Sequence, residues 1–346
     1  MNSGNQDAFL SAAESHSPPV VFERQHIDLL LKGLMPAGMA LDFLRQTAEK
    51  NLDGAVLKLF VDGVRASVIP DAAKHFARMQ NAMDCCGTGG SGLPHYNTST
   101  TVAFVLSAAG VPVAKFGNRA ANSLSGSFDF LERIGLGGNM PVEALPEMYG
   151  KTNLVFVFAQ QFYPALATIA PLRQAVGLRT VFNLIGPLLN PVKPALRLLG
   201  TPNPRAQELI AQYLATEEHL LRATVVRSAN GLDELEIAAD NHLAVVDERA
   251  VKTEILTFGE ENWDRPSWAI SGDECASIFQ QLINNEVDES NYFFRTVCLN
   301  TAAALKVAGK VEEIKDGYEI AAQLMKDGSV AQKYEQYKKL YAEYSK

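Results

Sequence analysis

The chain of 346 residues is 47% hydrophobic, 20% charged and 8% aromatic, with 25 glycines and 16 prolines. That is enough apolar surface to offset the entropy of ordering a long chain, and it excludes wholesale disorder, collagen and coiled coil. The net charge of −8 excludes a general attraction to nucleic acid or to an anionic membrane, so any bound anion needs a local site.

Residues 1–20 read as a flexible tail without the basic start and apolar middle of an export signal. Ile27, Leu30 and Leu31, then Met39, Phe43 and Leu44, then Leu57 and Phe60 recur at the spacing of short amphipathic helices. Pro36, Gly38, Gly54 and Pro70 punctuate them, which predicts a small all-helical domain over residues 1–80. From Met83 onward, short apolar runs at 111–115, 153–158, 197–200 and 223–226 alternate with glycine-rich turns and helices. This alternation predicts an α/β domain over 81–346, built on a mostly parallel central sheet flanked by helices. The apolar stretch 102–114 is broken by Gly110 and Pro112 and is too short to span a bilayer. Helices are expected at 297–308 and 312–326, with Gly309 and Gly328 as their C-terminal stops. Cys85, Cys86, Cys275 and Cys298 are too few for a disulfide scaffold and are expected to be reduced, cytoplasmic thiols.

Three segments carry chemistry. In the first, Gly87-Thr88-Gly89-Gly90-Ser91-Gly92 leads through His95 into Asn97-Thr98-Ser99-Thr100 and an apolar helix. Glycines let backbone N–H groups turn toward phosphate oxygens, and the start of a helix with free N–H groups and hydroxyls favours anions and can ligate a hard cation. No Gly-Lys-Ser/Thr closes the run, so it is not a P-loop, and a dinucleotide fingerprint is also absent. In the second, the run 111–115 feeds Lys115-Phe116-Gly117-Asn118-Arg119-Ala120-Ala121-Asn122-Ser123, with Ser127 beyond. Ligands of open α/β sheets sit beyond the carboxyl ends of strands, so Lys115 and Arg119 would meet a polyphosphate there. In the third, Asp233 and Glu234 form an acidic pair in a turn after the run 223–226. Such a pair is suited to Mg²⁺ when a substrate's phosphates complete the shell, though acidic pairs in solvated turns are also common.

Together these segments resemble the anthranilate phosphoribosyltransferase family, which shares its fold with the pyrimidine nucleoside phosphorylases. The resemblance covers about residues 80–330. It rests on Gly87-Thr88-Gly89-Gly90, Asn97-Thr98-Ser99-Thr100, Lys115-Phe116-Gly117-Asn118-Arg119, the Gly-Leu-Arg-Thr segment 177–191, Gly231-Leu232-Asp233-Glu234 and Leu299-Asn300-Thr301. It implies transfer of ribose 5-phosphate from phosphoribosyl pyrophosphate (PRPP) to anthranilate, in tryptophan synthesis, with release of pyrophosphate and no protein nucleophile or base. Gly87, Gly90, Ser91, His95, Asn97 to Thr100, Lys115, Gly117 to Ser123 and Ser127 would line the donor site, and Lys115 and Arg119 would stabilise the charge that builds on the leaving group. Ser99, Asp233 and Glu234 would hold Mg²⁺, while Gly87, Asn118 and Arg173 would bind the acceptor. The resemblance also implies that helices within about 164–192 complete the helical domain and that two copies pair through it. Three positions depart from the family. Ser91 stands where Asp is usual, and Phe116 and Tyr163 stand where His is usual, Tyr163 beside the acceptor channel. These departures leave open a paralogous transferase or phosphorylase for another aromatic amine or base, or a non-catalytic ligand-binding relative.

Overall fold

The computed structural model describes residues 21–93, 96–119, 126–137, 140–258 and 271–344. The tail at 1–20, and with it His95 and Ala120 to Ser123 of the expected donor site, lies outside the described residues.

Four helices open the chain: α1 (Arg24–Leu31), α2 (Ala37–Gln46), α3 (Gly54–Arg65) and α4 (Ala72–Phe76). The Asp53 carboxylate accepts the Val56 N–H at 2.8 Å and starts α3. Leu57, Phe60, Val61 and Val64 then bury one face of that helix. Gly63 lets α1 approach, since a Cβ there would lie 2.8 Å from the Ile27 side chain.

The chain continues through β1 (Met83–Gly87), α5 (Thr98–Ala108), β2 (Val113–Gly117), α6 (Ser127–Leu131), α7 (Leu145–Thr152) and β3 (Leu154–Phe158). Next come α8 (Ala159–Phe162), α9 (Ala165–Val176), α10 (Val181–Leu184), β4 (Leu196–Gly200), α11 (Pro204–Leu214) and β5 (Arg222–Ser228). It closes with β6 (Asn241–Asp247), β7 (Ala250–Leu256), α12 (Gly272–Ile283), α13 (Tyr292–Val307), α14 (Ile314–Lys326) and α15 (Ser329–Tyr344). The α9 helix returns to pack against α1 and α2, and Phe182 of α10 meets Phe60 of α3 edge-on at 5.7 Å. The helical part is therefore built from two separated stretches of chain.

The seven strands form one sheet in the order β3-β2-β1-β4-β5-β6-β7. β3, β2, β1, β4 and β5 are mutually parallel, and β6 and β7 add an antiparallel edge. The four apolar runs fall in β2 to β5. Three strands were not legible. β1 carries the buried Asp84 at its second position, and no β-branched run marks it. β7 is exposed over nearly its whole length. The turn between β6 and β7 is Glu248-Arg249, both at positive φ (48° and 63°), so it has the type I′ geometry without the Asn-Gly that normally announces it.

α13 is buried almost throughout and packs between α5 and α14. Gly317 permits that contact, because a Cβ there would lie 2.9 Å from the Ala302 Cα. Gly309 and Gly328 stand just past α13 and α14 with φ of 66° and 83°, the left-handed stops the sequence suggests. Among the described residues, no helix is long and apolar enough to cross a membrane.

Candidate active site

The strand order reverses at β1. The chain runs outward through β2 and β3 and then returns to place β4 on the other side of β1, so a crevice opens beyond the carboxyl ends of β1 and β4. A cavity of about 1000 Å³ lies there. The glycine segment, the start of α5, the loop after β2, the acidic turn after β5 and the 173–189 stretch all line it.

The glycine segment leaves β1 at Gly87, which pairs with Gly200 of β4. Gly89, Gly90 and Gly92 adopt φ of 66°, 80° and 69°, a succession that L-residues with a Cβ resist. The loop is tied at both faces: Thr88 N–H donates to Gly200 O, and Gly89 N–H donates to Asp233 Oδ2, each at 2.8 Å. Asp233 reaches this position only because two Cβ atoms are missing. A Cβ on Gly87 would lie 2.2 Å from Asp233 Oδ2, and one on Gly200 would lie 1.7 Å from the Asp233 carbonyl oxygen. Asp233 and Glu234 both line the cavity. Asn300 of α13 fixes their turn from behind: its Oδ1 accepts the Leu235 N–H at 3.0 Å and its Nδ2 donates to Leu235 O at 2.8 Å.

At the start of α5, Asn97, Thr98 and Ser99 line the cavity. Asn97 Oδ1 and Thr98 Oγ1 are buried without a hydrogen-bond partner, polar capacity that a ligand can use. Thr100 is fully buried behind them and is not part of the cavity wall. At about 100° of helix rotation per residue, Thr100 is turned away from the face that carries Thr98 and lies in the core. Ser91 lines the glycine loop, and its hydroxyl accepts the Leu93 N–H at 3.2 Å.

The loop after β2 brings Lys115, Gly117, Asn118, Arg119 and Ser127 to the cavity. Lys115 is only 2% exposed, and its ammonium donates to Cys85 O at 2.8 Å rather than reaching into open space. Beside it the buried Asp84 carboxylate accepts from Phe116 N–H at 3.0 Å and Asn190 Nδ2 at 2.9 Å. Burial pushes the Asp84 carboxyl up, and the nearby Lys115 and Arg197 charges partly oppose that. Arg119 is held by Glu132 and Asp129 and lies over the Phe158 ring at 5.8 Å. Asn118 Oδ1 accepts from Arg119 N–H and from Gln160 Nε2 at 2.9 and 3.2 Å. Gly117 clears Ser127, whose Oγ would lie 2.2 Å from a Cβ there.

The wall from the helical side carries Arg173 of α9, whose guanidinium stands 5.8 Å from the centre of the Phe182 ring. Burial lowers its pKa, as expected of a cation drawn out of water. Phe116, Leu166, Phe182, Ile185 and Leu189 give the same cavity apolar lining. Tyr163 corrects an expectation. It was placed beside the acceptor channel, but it is 1% exposed, does not line the cavity and donates its hydroxyl to Leu189 O at 2.6 Å. It touches the site through Leu189 and through Phe116, edge-on at 6.3 Å. Its hydroxyl finds a backbone partner in the core, which offsets the cost of burying it.

The sequence reading did not single out Asp84, Asn190, Arg179 or Asn300 for roles in the site. Asp84 and Asn190 lie 106 residues apart and come together only through the sheet, so no local spacing marks them.

The chain matches a family model described as "Glycosyl transferase family, a/b domain" over residues 79–331. It is 35% identical over 266 residues to the anthranilate phosphoribosyltransferase of Streptococcus mutans, covering 76% of this chain and 77% of that one. In structure it is similar to the anthranilate phosphoribosyltransferase of Thermus thermophilus, with a TM-score of 0.81, 28% identity and coverage of 94% and 97%. A Saccharomyces cerevisiae anthranilate phosphoribosyltransferase solved with PRPP and Mg is alike in fold, with a TM-score of 0.67, 20% identity and coverage of 93% and 99%. The sheet order, the cavity at its switch point and these matches agree: the chain belongs to the anthranilate phosphoribosyltransferase family.

Proposed function

We propose that this protein transfers the ribose 5-phosphate unit of PRPP to anthranilate and releases pyrophosphate, a step of tryptophan synthesis. The observation that carries this reading is the convergence of the glycine loop, the start of α5, the loop after β2 and the acidic turn on one cavity, with Arg173 on the same wall system. The donor would seat its phosphates against the N–H groups of the glycine loop that the fold leaves over, at residues 90–92, and the start of α5, with Asn118 and Ser127 beside the ribose phosphate. An aromatic carboxylate suits Arg173, because a guanidinium accepts it in a two-point geometry and the surrounding apolar wall takes the ring.

Negative charge grows on the leaving pyrophosphate as the sugar carbon becomes cationic, so donors aimed at the phosphates stabilise the transition state more than the ground state. Lys115 contributes at one remove, since its ammonium holds the Cys85 carbonyl at the root of the glycine loop. Arg119 has its guanidinium on Glu132 and Asp129 and adds to the field of the site.

The donor set fits Mg²⁺. Asp233, Glu234 and the Ser99 hydroxyl border one cavity, while no group of three or more His, Cys, Asp or Glu among the described residues could hold a metal by itself. A cation here needs the substrate's own phosphate oxygens. When bound, Mg²⁺ would neutralise charge on the pyrophosphate.

Loss of anthranilate fluorescence on incubation with PRPP and Mg²⁺ tests the reading; no turnover under saturating donor would overturn it. A second reading, another aromatic amine as acceptor, is favoured by Phe116, which gives the cavity a phenyl ring where the family usually has an imidazole. Turnover with a substituted or larger amine in preference to anthranilate would establish it. The division near residue 80 and a homodimer through the helical part, where Leu34 and Met39 are 66% and 60% exposed, belong to the same proposal. The four thiols are free, in keeping with a cytoplasmic enzyme.

A further inference from the structure

Arg179 lies between the Gly177 turn and α10, and nothing above gives it a chemical task. Its backbone is sewn to the helical part: Glu49 N–H donates to Arg179 O at 3.0 Å, Val181 N–H donates to Thr47 O at 2.9 Å, and Ala48 bridges Thr180. Its side chain is held from the same side. Nε donates to Glu49 Oε2 at 2.7 Å, and that carboxylate is 6% exposed. A guanidinium gripped by a buried carboxylate has one direction open to it, and here that direction leads to the glycine loop. Nη1 lies 3.3 Å from Gly90 O and fills the space that a Gly90 Cβ would occupy, 1.7 Å from the Cβ position. Nη2 is buried and has no hydrogen-bond partner.

The other cations of the cavity are differently disposed. Lys115 already donates to Cys85 O, and Arg119 is paired with Glu132 and Asp129. Arg173 stands over Phe182 in the apolar wall. Arg179 alone among these cations of the described wall lies against the glycine loop with a donor nitrogen still to satisfy. Buried donors left unpaired in a folded protein mark places where a ligand or water completes the set, and the fork of a guanidinium matches a phosphate group.

We propose that Arg179 binds a phosphate oxygen of the donor at the glycine loop through its guanidinium, and that Glu49 is the positioning residue that aims it, so the helical part takes part in binding the donor as well as the acceptor. This rests on the reading of the chain as a PRPP-dependent transferase.

The test is calorimetric titration of the full-length protein with PRPP and Mg²⁺, together with KM for each substrate, in wild type, Arg179→Gln, Arg179→Lys and Glu49→Gln. The expected result is a 10-fold to 100-fold weaker donor Kd in Arg179→Gln, roughly the worth of one charge-assisted hydrogen bond. Arg179→Lys should be partly restored, and Glu49→Gln should raise the donor KM about 3-fold to 10-fold, on the order of a loosened aim rather than a lost charge, with the anthranilate KM changed far less. A merely structural latch would lower the melting temperature and leave the donor Kd within 2-fold of wild type, and that overturns the inference. If Arg179→Gln does not fold, Glu49→Gln decides by the same split between the two KM values. Failure of the wild-type chain itself to bind PRPP overturns the functional reading, whereas tight binding by wild type and by Arg179→Gln alike overturns only the role of Arg179.

Discussion

Gly200 illustrates how single atoms decide this site. Its missing Cβ is the space through which the Asp233 carbonyl passes, so Gly200→Ala forces backbone apart rather than a flexible side-chain tip. Overpacking of this kind costs about 2–3 kcal/mol, and the displaced turn should also raise the Mg²⁺ concentration needed for half-maximal activity; denaturant melts and a metal titration check the two effects. At the other wall, Arg173→Ala should raise the acceptor KM by about 10-fold or more while donor affinity stays close to wild type, the signature of a lost carboxylate contact. Steady-state kinetics with each substrate varied in turn reads this directly, and equal losses for both substrates would place Arg173 elsewhere in the reaction. Glycine-rich spacing and the acidic pair made some of these residues visible beforehand. The tasks of Gly200 and Tyr163 were not, because one is defined by an atom it lacks and the other by a carbonyl 26 residues away.

At the scale of elements, α13 fixes the metal-side carboxylates through Asn300, whose amide grips Leu235 on both its N–H and its C=O and also donates to Thr296 O at 2.9 Å. Asn300→Ala leaves a buried peptide N–H unpaired, at about 1–3 kcal/mol. Because Leu235 directly follows Glu234, the variant should need more Mg²⁺ while its anthranilate KM stays within about 2-fold, since no acceptor contact is removed. A thermal melt and a Mg²⁺ titration separate the fold effect from the site effect. The helices of the N-terminal part and the parallel strands β2 to β5 were legible because their apolar residues repeat with period 3.6 or run unbroken where both faces are buried. The β6–β7 edge was not, because an exposed strand has no apolar face to announce it and its turn residues are Glu248 and Arg249.

Across the whole molecule, the helical part is joined to the sheet by a polar cluster. Arg65 of α3 reaches both oxygens of Glu217 at 2.9 Å and donates twice to Leu188 O, at 3.0 and 2.8 Å. The pair is 15% and 9% exposed, so Arg65→Met, which strands Glu217, should cost about 3 kcal/mol. It should also loosen the relation between the two halves of the cavity, raising both KM values. His219 belongs to the same cluster, 3.4 Å from Glu217. Burial, then the charge of Arg197, with Arg65 and Lys193 adding, pushes its imidazole down from 6.5 to about 4 against the pull of Glu217. Between those two values the unfolded chain holds a proton that the folded one lacks, so stability rises with pH through that window and is lost as pH falls toward about 4. For Glu217 itself burial acts upward, but Arg65 and Tyr213 outweigh it and hold the carboxyl below its ordinary 4.5, which adds to the loss in acid. Melting temperatures followed downward from neutral pH should fall through this range, and His219→Gln should flatten the upper part of the slope.

Local sequence determined which segments could bind phosphate, metal and carboxylate, since backbone freedom, hydroxyls at a helix start and paired acids are properties of a few neighbouring residues. It also determined the fold class, because hydrophobic period is a local quantity. Tertiary structure alone decided where each charge points. Lys115 turned to Cys85 O, Arg119 to Glu132 and Asp129, and Arg179 to Gly90, because a cation settles on whichever oxygens the folded chain brings within reach, and those are not its neighbours in sequence.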